Sequence, residues 1–315
     1  MDLNEKAMFI AQSLSKQFKK QNATDRAKSG KFIKQLEQKI KRNMDIDFDE
    51  IFNALTESVS VMMASYEEFE NTPQSKLEGL SIREYINSID KLEHMLYIAM
   101  AINGEEDGAY PSSFVNKMKE LPESELSRLK EYILAAEESA NGVLNSEQIA
   151  IVHLCGLNGN EAFAVPLADM LKKLVQEAAE GEIKAICDAL VGIGSHSVDP
   201  LIDIVKNSEP EGLKYEYVIR TLGTIGMNYR KEDIFLFLKD LFRRSKNKLS
   251  EAEALAMLDD GRIIPAIRGH IERNLDSMDP SVYERFREII TDLGGDISDL
   301  DEFFDDPEDF GDFED

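Results

Sequence analysis

Apolar residues recur along this chain at the spacing of amphipathic helices. Leu3, Ala7, Ile10 and Leu14 share one helical face, and Phe18 follows. The polar stretch Gln-Asn-Ala-Thr-Asp, residues 21–25, reads as a break. A second amphipathic segment then carries Phe32, Ile33, Leu36 and Ile40, with Lys31, Lys34, Lys39, Lys41 and Arg42 on its other face. Residues 1–43 therefore predict a basic helical hairpin. Residues 47–69 predict a further helix. Ser81-Ile-Arg-Glu84 is a capping-box pattern, in which two orphan amides are satisfied reciprocally. It opens a stripe of Ile82, Tyr85, Ile86, Ile89, Leu92 and Leu96. Residues 103–113, NGEEDGAYPSS, read as a loop, and a helix follows Pro122 to about Ala140. Asn141-Gly142 stops it and closes a helical domain of residues 44–141.

From residue 142 the pattern repeats. Ile183, Ile186, Leu190 and Ile193 align with Tyr215, Val218, Leu222 and Ile225, each at an offset of 32. A step back of 36 finds Ala150, Leu154 and Leu157, and a step forward of 33 from Leu222 and Ile225 finds Leu255 and Leu258. Pro166 and Pro200 are 34 apart, and Pro200 and Pro265 are 65 apart, close to two periods. About four helix–turn–helix units are predicted, at residues 147–174, 183–207, 214–244 and 251–273. One such unit cannot bury its own apolar face, but several stacked units can. The array is bounded as residues 142–295.

The stretch ALVGIGSHSVDPLIDIVK, residues 189–206, shows the turn inside a unit. A phosphate loop would need a preceding strand and a third glycine or a lysine, and neither is present. Gly194 instead stands where a helix ends through a residue at positive φ. Asp199 is expected as a side-chain cap and Pro200 in the first turn of the next helix. Val198, Leu201, Ile202 and Val205 would form that helix's buried face.

These residues resemble a HEAT repeat of the short, phycobilisome-lyase-like type: an apolar first helix ending near Ile-Gly, a short turn, then a Pro-Leu-Ile second helix. The likeness is closest at 183–206 and looser at 150–174, 215–244 and 252–273, and it covers roughly 130 residues of 315. It implies a right-handed α-solenoid and a scaffold or adaptor, and it supplies no catalytic residue.

Composition narrows the picture. Gly and Pro together number only 27, which disfavours a turn-rich β architecture, so an all-α protein is expected. The formal net charge of −25 repels nucleic acid and anionic membranes, and it points to basic or neutral protein partners. The charge is uneven. Residues 1–43 carry 11 Lys/Arg against 4 Asp/Glu, whereas residues 296–315 carry 11 acids and no base. Two cysteines without framework spacing, no signal-peptide pattern and no membrane-length apolar run together predict a cytoplasmic protein.

Candidate chemistry is sparse. Ser195, His196 and Ser197 could suggest a nucleophile and a base, but sequence neighbours in a turn rarely share the geometry, and no orienting third group is indicated. His94, His153 and His270 fall on helical stripes as core or rim residues. In NMDIDFDE, Asp45, Asp47 and Asp49 copy the first three ligands of a calcium loop. Glu50 and Thr56 then replace its glycine and its bidentate glutamate, so no metal and no cofactor is expected. Asp169, Asp203, Lys239 and Arg268 occupy one equivalent position in the second helices and form a candidate ladder along a concave face. The tail, residues 296–315, is expected to be largely disordered alone, with Phe303, Phe304, Phe310 and Phe313 set among acids as docking residues for a basic groove. The basic N-terminal segment could meet nucleic acid, but its aromatics, Phe18 and Phe32, lie on apolar stripes.

The expected function is a non-enzymatic adaptor that binds a protein partner. The alternative is a nucleic-acid-binding protein or an enzyme like the HEAT-like alkylpurine DNA glycosylases.

Overall fold

The computed structural model describes the chain apart from residues 42–47, 106–108, 175–179, 208–211, 246–247 and 304–315, and apart from the side chains of residues 24–52, 54, 55, 57, 58 and 302. The described residues are all-α: fifteen α-helices and six short 3-10 helices, with two isolated bridges in place of strands. They form two compact units, Met1–Ser139 with Leu144–Asn158, and Ala140–Val143 with Gly159–Asp315.

The first unit contains α1 (Leu3–Lys41), α2 (Phe48–Asn71), α3 (Ile82–Asn87), α4 (Leu92–Asn103), α5 (Ser112–Lys119), α6 (Glu123–Ser139) and α7 (Ser146–Asn158). Helix α4 is its centre, and α1, α6 and α7 pack on it. Met95, Ile98, Ala99 and Ile102 of α4 are buried, as are Ala7, Ile10 and Leu14 of the α1 stripe. The hairpin expected over residues 1–43 is instead one continuous helix. Residues 21–25 hold no Gly or Pro, and Asn, Thr and Asp each cost under about 0.7 kcal/mol in a helix interior. That is too little to stop a helix already nucleated on both sides.

Polar connections join the helices of this unit alongside its apolar core. Ser81 and Glu84 form the expected reciprocal cap at the start of α3. Buried Glu70, at the end of α2, accepts from the Ser113 amide at 2.8 Å and the Ser112 hydroxyl at 2.7 Å. It thereby caps α5, whose N-cap residue is Pro111 and offers no side-chain acceptor. Burial alone would raise the Glu70 pKa, but the bonds from Ser113 and Ser112 and the Arg83 charge hold it below the usual range. Gln148 of α7 donates to the Ala136 carbonyl near the end of α6, at 3.0 Å.

The second unit contains α8 (Ala164–Lys173), α9 (Glu180–Ile193), α10 (Val198–Lys206), α11 (Leu213–Gly226), α12 (Lys231–Arg244), α13 (Leu249–Ala256), α14 (Ile264–Glu272) and α15 (Pro280–Asp292). These helices pack in a repeat-like arrangement. The pairs α9/α10, α11/α12 and α13/α14 stand over the expected units at 183–207, 214–244 and 251–273. The helices expected at 147–174 are α7 and α8, which fall in different units. Leu190, Leu222 and Leu255 are each wholly buried.

The two rows of this stack are not alike. The first helices pack directly on one another: α9 on α11, α11 on α13, α13 on α15. Gly223 makes this possible, because a Cβ there would stand 2.9 Å from the Ala254 carbonyl oxygen. In the other row α8 packs on α10, while α12 and α14 pack chiefly on first helices.

The turn of the 189–206 stretch is as read, with two corrections, the first being that Ile204 and not Ile202 joins Val198, Leu201 and Val205 on the buried face of α10. Gly194 has φ +77° and ends α9. A 3-10 turn, Gly194–Ser197, then feeds directly into α10, so the helix starts before Asp199 and uses no side-chain cap. Asp199 accepts instead from Arg230, at 2.9 Å. Ser197 is buried and donates to the Leu190 carbonyl at 2.8 Å.

Candidate functional site

A groove of about 440 Å³ runs across the first-helix row. Helix α11 contributes Glu216, Tyr217 and Arg220, α13 contributes Glu253 and Ala254 with Met257 just past its end, and α15 contributes Arg285, Glu288 and Asp292. Ala256 and Met257 supply apolar surface over buried Ala254 and Ile289, and four carboxylates face two guanidinium groups. Arg285 ties two helices together, reaching Glu253 at 2.7 Å and Glu288 at 2.5 Å. Tyr217 donates to Glu180, and this bond, aided by burial, raises its pKa. These residues recur every three or four positions on the polar faces of α11, α13 and α15. That signal is present in the sequence, but nothing in it tells which row of helices is the tighter.

The residues of the expected ladder lie on the second helices, and three of the four are held by ion pairs within the unit. Lys172 bridges Asp169 at 3.1 Å and Asp203 at 3.0 Å. Arg268 pairs with Glu272 at 2.9 Å and with Asp299. Lys239 stands over the Phe235 ring, 5.4 Å from its centre. The groove lies on the other row.

Ser195 and His196 do acquire a third group, Glu161, which the sequence did not indicate. His196 Nε2 is 2.8 Å from Glu161, with both side chains more than half exposed. Ser195 Oγ lies 3.5 Å from His196 Nδ1, the outer limit of a hydrogen bond and too long for proton transfer. The row reads as a solvated His196–Glu161 contact with a serine beside it.

His94, His153 and His270 are half-buried on their helices. His153 Nδ1 meets Asn103 Oδ1 at 2.9 Å and the Tyr110 hydroxyl at 3.1 Å, a network inside the first unit. Cys155 and Cys187 are free and buried. Burial pushes the Cys187 thiol up to about 11 and raises the Cys155 thiol as well, so neither is a poised nucleophile. Among the described residues no group of three or more His, Cys, Asp or Glu is placed to hold a metal ion. Asp45, Asp47 and the side chain of Asp49 lie outside the described residues. No helix among them is long and apolar enough to cross a membrane.

The tail differs from expectation in its first part. Residues 298–303 form a 3-10 helix, with Ile297 and Leu300 buried. Arg268 and Arg287 neutralise Asp299 and Asp301, which removes the repulsion expected to keep the segment open. Phe303 ends it, 63% exposed, and Phe304, Phe310 and Phe313 lie outside the described residues. At the other end of the chain, Phe18 packs edge-on against Tyr66, with ring centres 6.3 Å apart. The Phe32 side chain lies outside the described residues.

Comparison of this chain with protein-family models, with curated proteins and with solved structures finds no match.

Proposed function

We propose that this chain is a non-enzymatic adaptor that binds a protein partner on the first-helix row of a HEAT-like stack. The groove across α11, α13 and α15 carries the reading. The first helices of three successive positions in the stack contribute to one surface, as in the extended binding faces of repeat proteins. Its apolar floor supplies affinity to a protein segment, and its excess of carboxylates selects a basic one. Helix pairs at the 32–36-residue offsets of the sequence support the HEAT-like assignment. A cytoplasmic setting suits two buried, unpaired thiols.

The test is affinity purification of the tagged full chain from extracts of its source cells. Glu253→Lys with Asp292→Lys should abolish recovery of a protein that the wild type retains. Asp169→Lys with Asp203→Lys should keep it, with both variants folded by circular dichroism. Equal recovery by all three chains overturns the groove. Tight, sequence-independent DNA binding at low salt would favour the nucleic-acid alternative instead.

A further inference from the structure

A second pocket, of about 630 Å³, opens between the end of α12, the start of α13 and α14. Its charged lining is Arg243, Lys248 and Arg273, with no carboxylate, in a chain of net charge −25. Nine arginines fall in the second unit. Arg230, Arg244, Arg262, Arg268, Arg285 and Arg287 are each paired with a carboxylate. Arg243 and Arg273 make no such pair among the described residues, and both line this pocket. Arg220, in the groove, is the third without one.

The other polar groups are set for an anion as well. The Lys248 ammonium donates to the carbonyls of Phe242, Arg243 at 3.3 Å and Ser245 at 2.7 Å, where α12 ends. A helix C-terminus would otherwise repel an anion, and this cation masks it. Burial lowers the Lys248 pKa, the Glu251 charge opposes that shift, and the two arginines add positive charge with no carboxylate partner of their own. Asn274 Nδ2 lies 2.7 Å from the His270 carbonyl oxygen, which identifies it as the amide nitrogen. The same Nδ2 stands 3.1 Å from His270 Nδ1, so Nδ1 accepts and the ring proton is on Nε2. Burial, then the charges of Lys248 and Arg273, lower the His270 pKa, leaving a neutral N–H donor at pH 7.

We propose that this pocket binds a phosphate monoester or diphosphate group. Two unpaired guanidinium forks, each able to bond bidentately, call for a ligand with several acceptor oxygens and about two negative charges. A single carboxylate has two oxygens and one charge, and would leave one arginine uncompensated. The proposal is independent of the groove on the first-helix row.

The test is calorimetric titration of the full chain with inorganic pyrophosphate at an ionic strength of about 0.15 M. There the Debye length of about 8 Å screens the remaining acidic surface from the ligand. One saturable site is expected. Arg243→Ala and Arg273→Ala should each weaken binding by about tenfold or more, whereas Lys206→Ala, which removes an exposed charge elsewhere in the unit, should not. Both arginine side chains lie at the surface, and an unchanged melting temperature confirms folding. Free O-phosphoserine and a phosphoserine peptide distinguish the source: much tighter binding of the peptide assigns a phosphorylated protein, and parity assigns a small phosphorylated molecule. Absence of saturation, undiminished binding in the arginine variants, or malonate binding as tightly as pyrophosphate overturns the proposal.

Discussion

Leu190 and Leu222 stand 32 residues apart, at the same place in successive helix pairs of the second unit, and both are wholly buried. The first unit is joined in another way. Its α5 is capped by Glu70 from α2, and its α6 end is met by Gln148 from α7. One unit repeats a single apolar solution; the other joins dissimilar helices through polar contacts, each used once. A repeated apolar solution tolerates variation in its turns, because neighbouring pairs supply the burial. A polar contact used once is costly to lose, because its partners are left buried and unsatisfied.

This contrast is open to test, and the largest effects belong to the repeat. Leu190→Ala and Leu222→Ala should each lose about 2–5 kcal/mol in chemical denaturation, the cost of a cavity in a core that cannot collapse around it. A loss within error of zero would show that the pairs do not share the register assigned to them. Gly223→Ala should cost about 1–3 kcal/mol, because the new methyl group meets the Ala254 backbone. Gly181→Ala, also on a first helix but with open space around it, should be neutral or slightly stabilising. Similar losses from both glycines would place the tight contact elsewhere.

In the first unit, Glu70→Ala should cost about 1–3 kcal/mol at neutral pH by leaving the α5 amide unpaired. The sign of its pH dependence follows from a folded pKa held below the ordinary glutamate value of 4.5. The Glu70 contribution is present above about pH 4.5 and is lost as pH falls through the lower folded value. Denaturation between pH 3 and 6 should therefore show a smaller acid-side loss in the variant than in the wild type. The smallest effect is expected on the second-helix face, where Lys172→Ala removes two exposed ion pairs. Exposed pairs are worth little, so stability should change by under about 1 kcal/mol.

The same contrast separates what the sequence revealed from what it did not. Helix pairs, the Gly194 turn and the Ser81 cap were legible, because each is written in local spacing or in one residue's backbone preference. The Glu70 cap was not, since it joins residues more than 40 positions apart with no motif between them. The continuous α1 was missed because a polar stretch was weighed as a break although none of its residues breaks a helix. Periodicity placed the candidate ladder on the second helices, because it shows which side of a helix is apolar but not which row of helices packs more closely. That is decided by a contact between Gly223 and Ala254, 31 residues apart. The docked start of the tail likewise depends on Arg268 and Arg287, which no reading of the tail alone supplies.

The central claim, that the first-helix row is the binding face, is tested most directly by site-specific photo-crosslinking in the full chain. A photoreactive amino acid is placed at Met257 in the groove and, separately, at Lys239 on the second-helix row, and each chain is irradiated in extracts of its source cells. The account predicts a light-dependent adduct with one protein from Met257, absent from Lys239 and suppressed by Glu253→Lys with Asp292→Lys. An adduct from Lys239 alone, or one from Met257 that survives those substitutions undiminished, would contradict it.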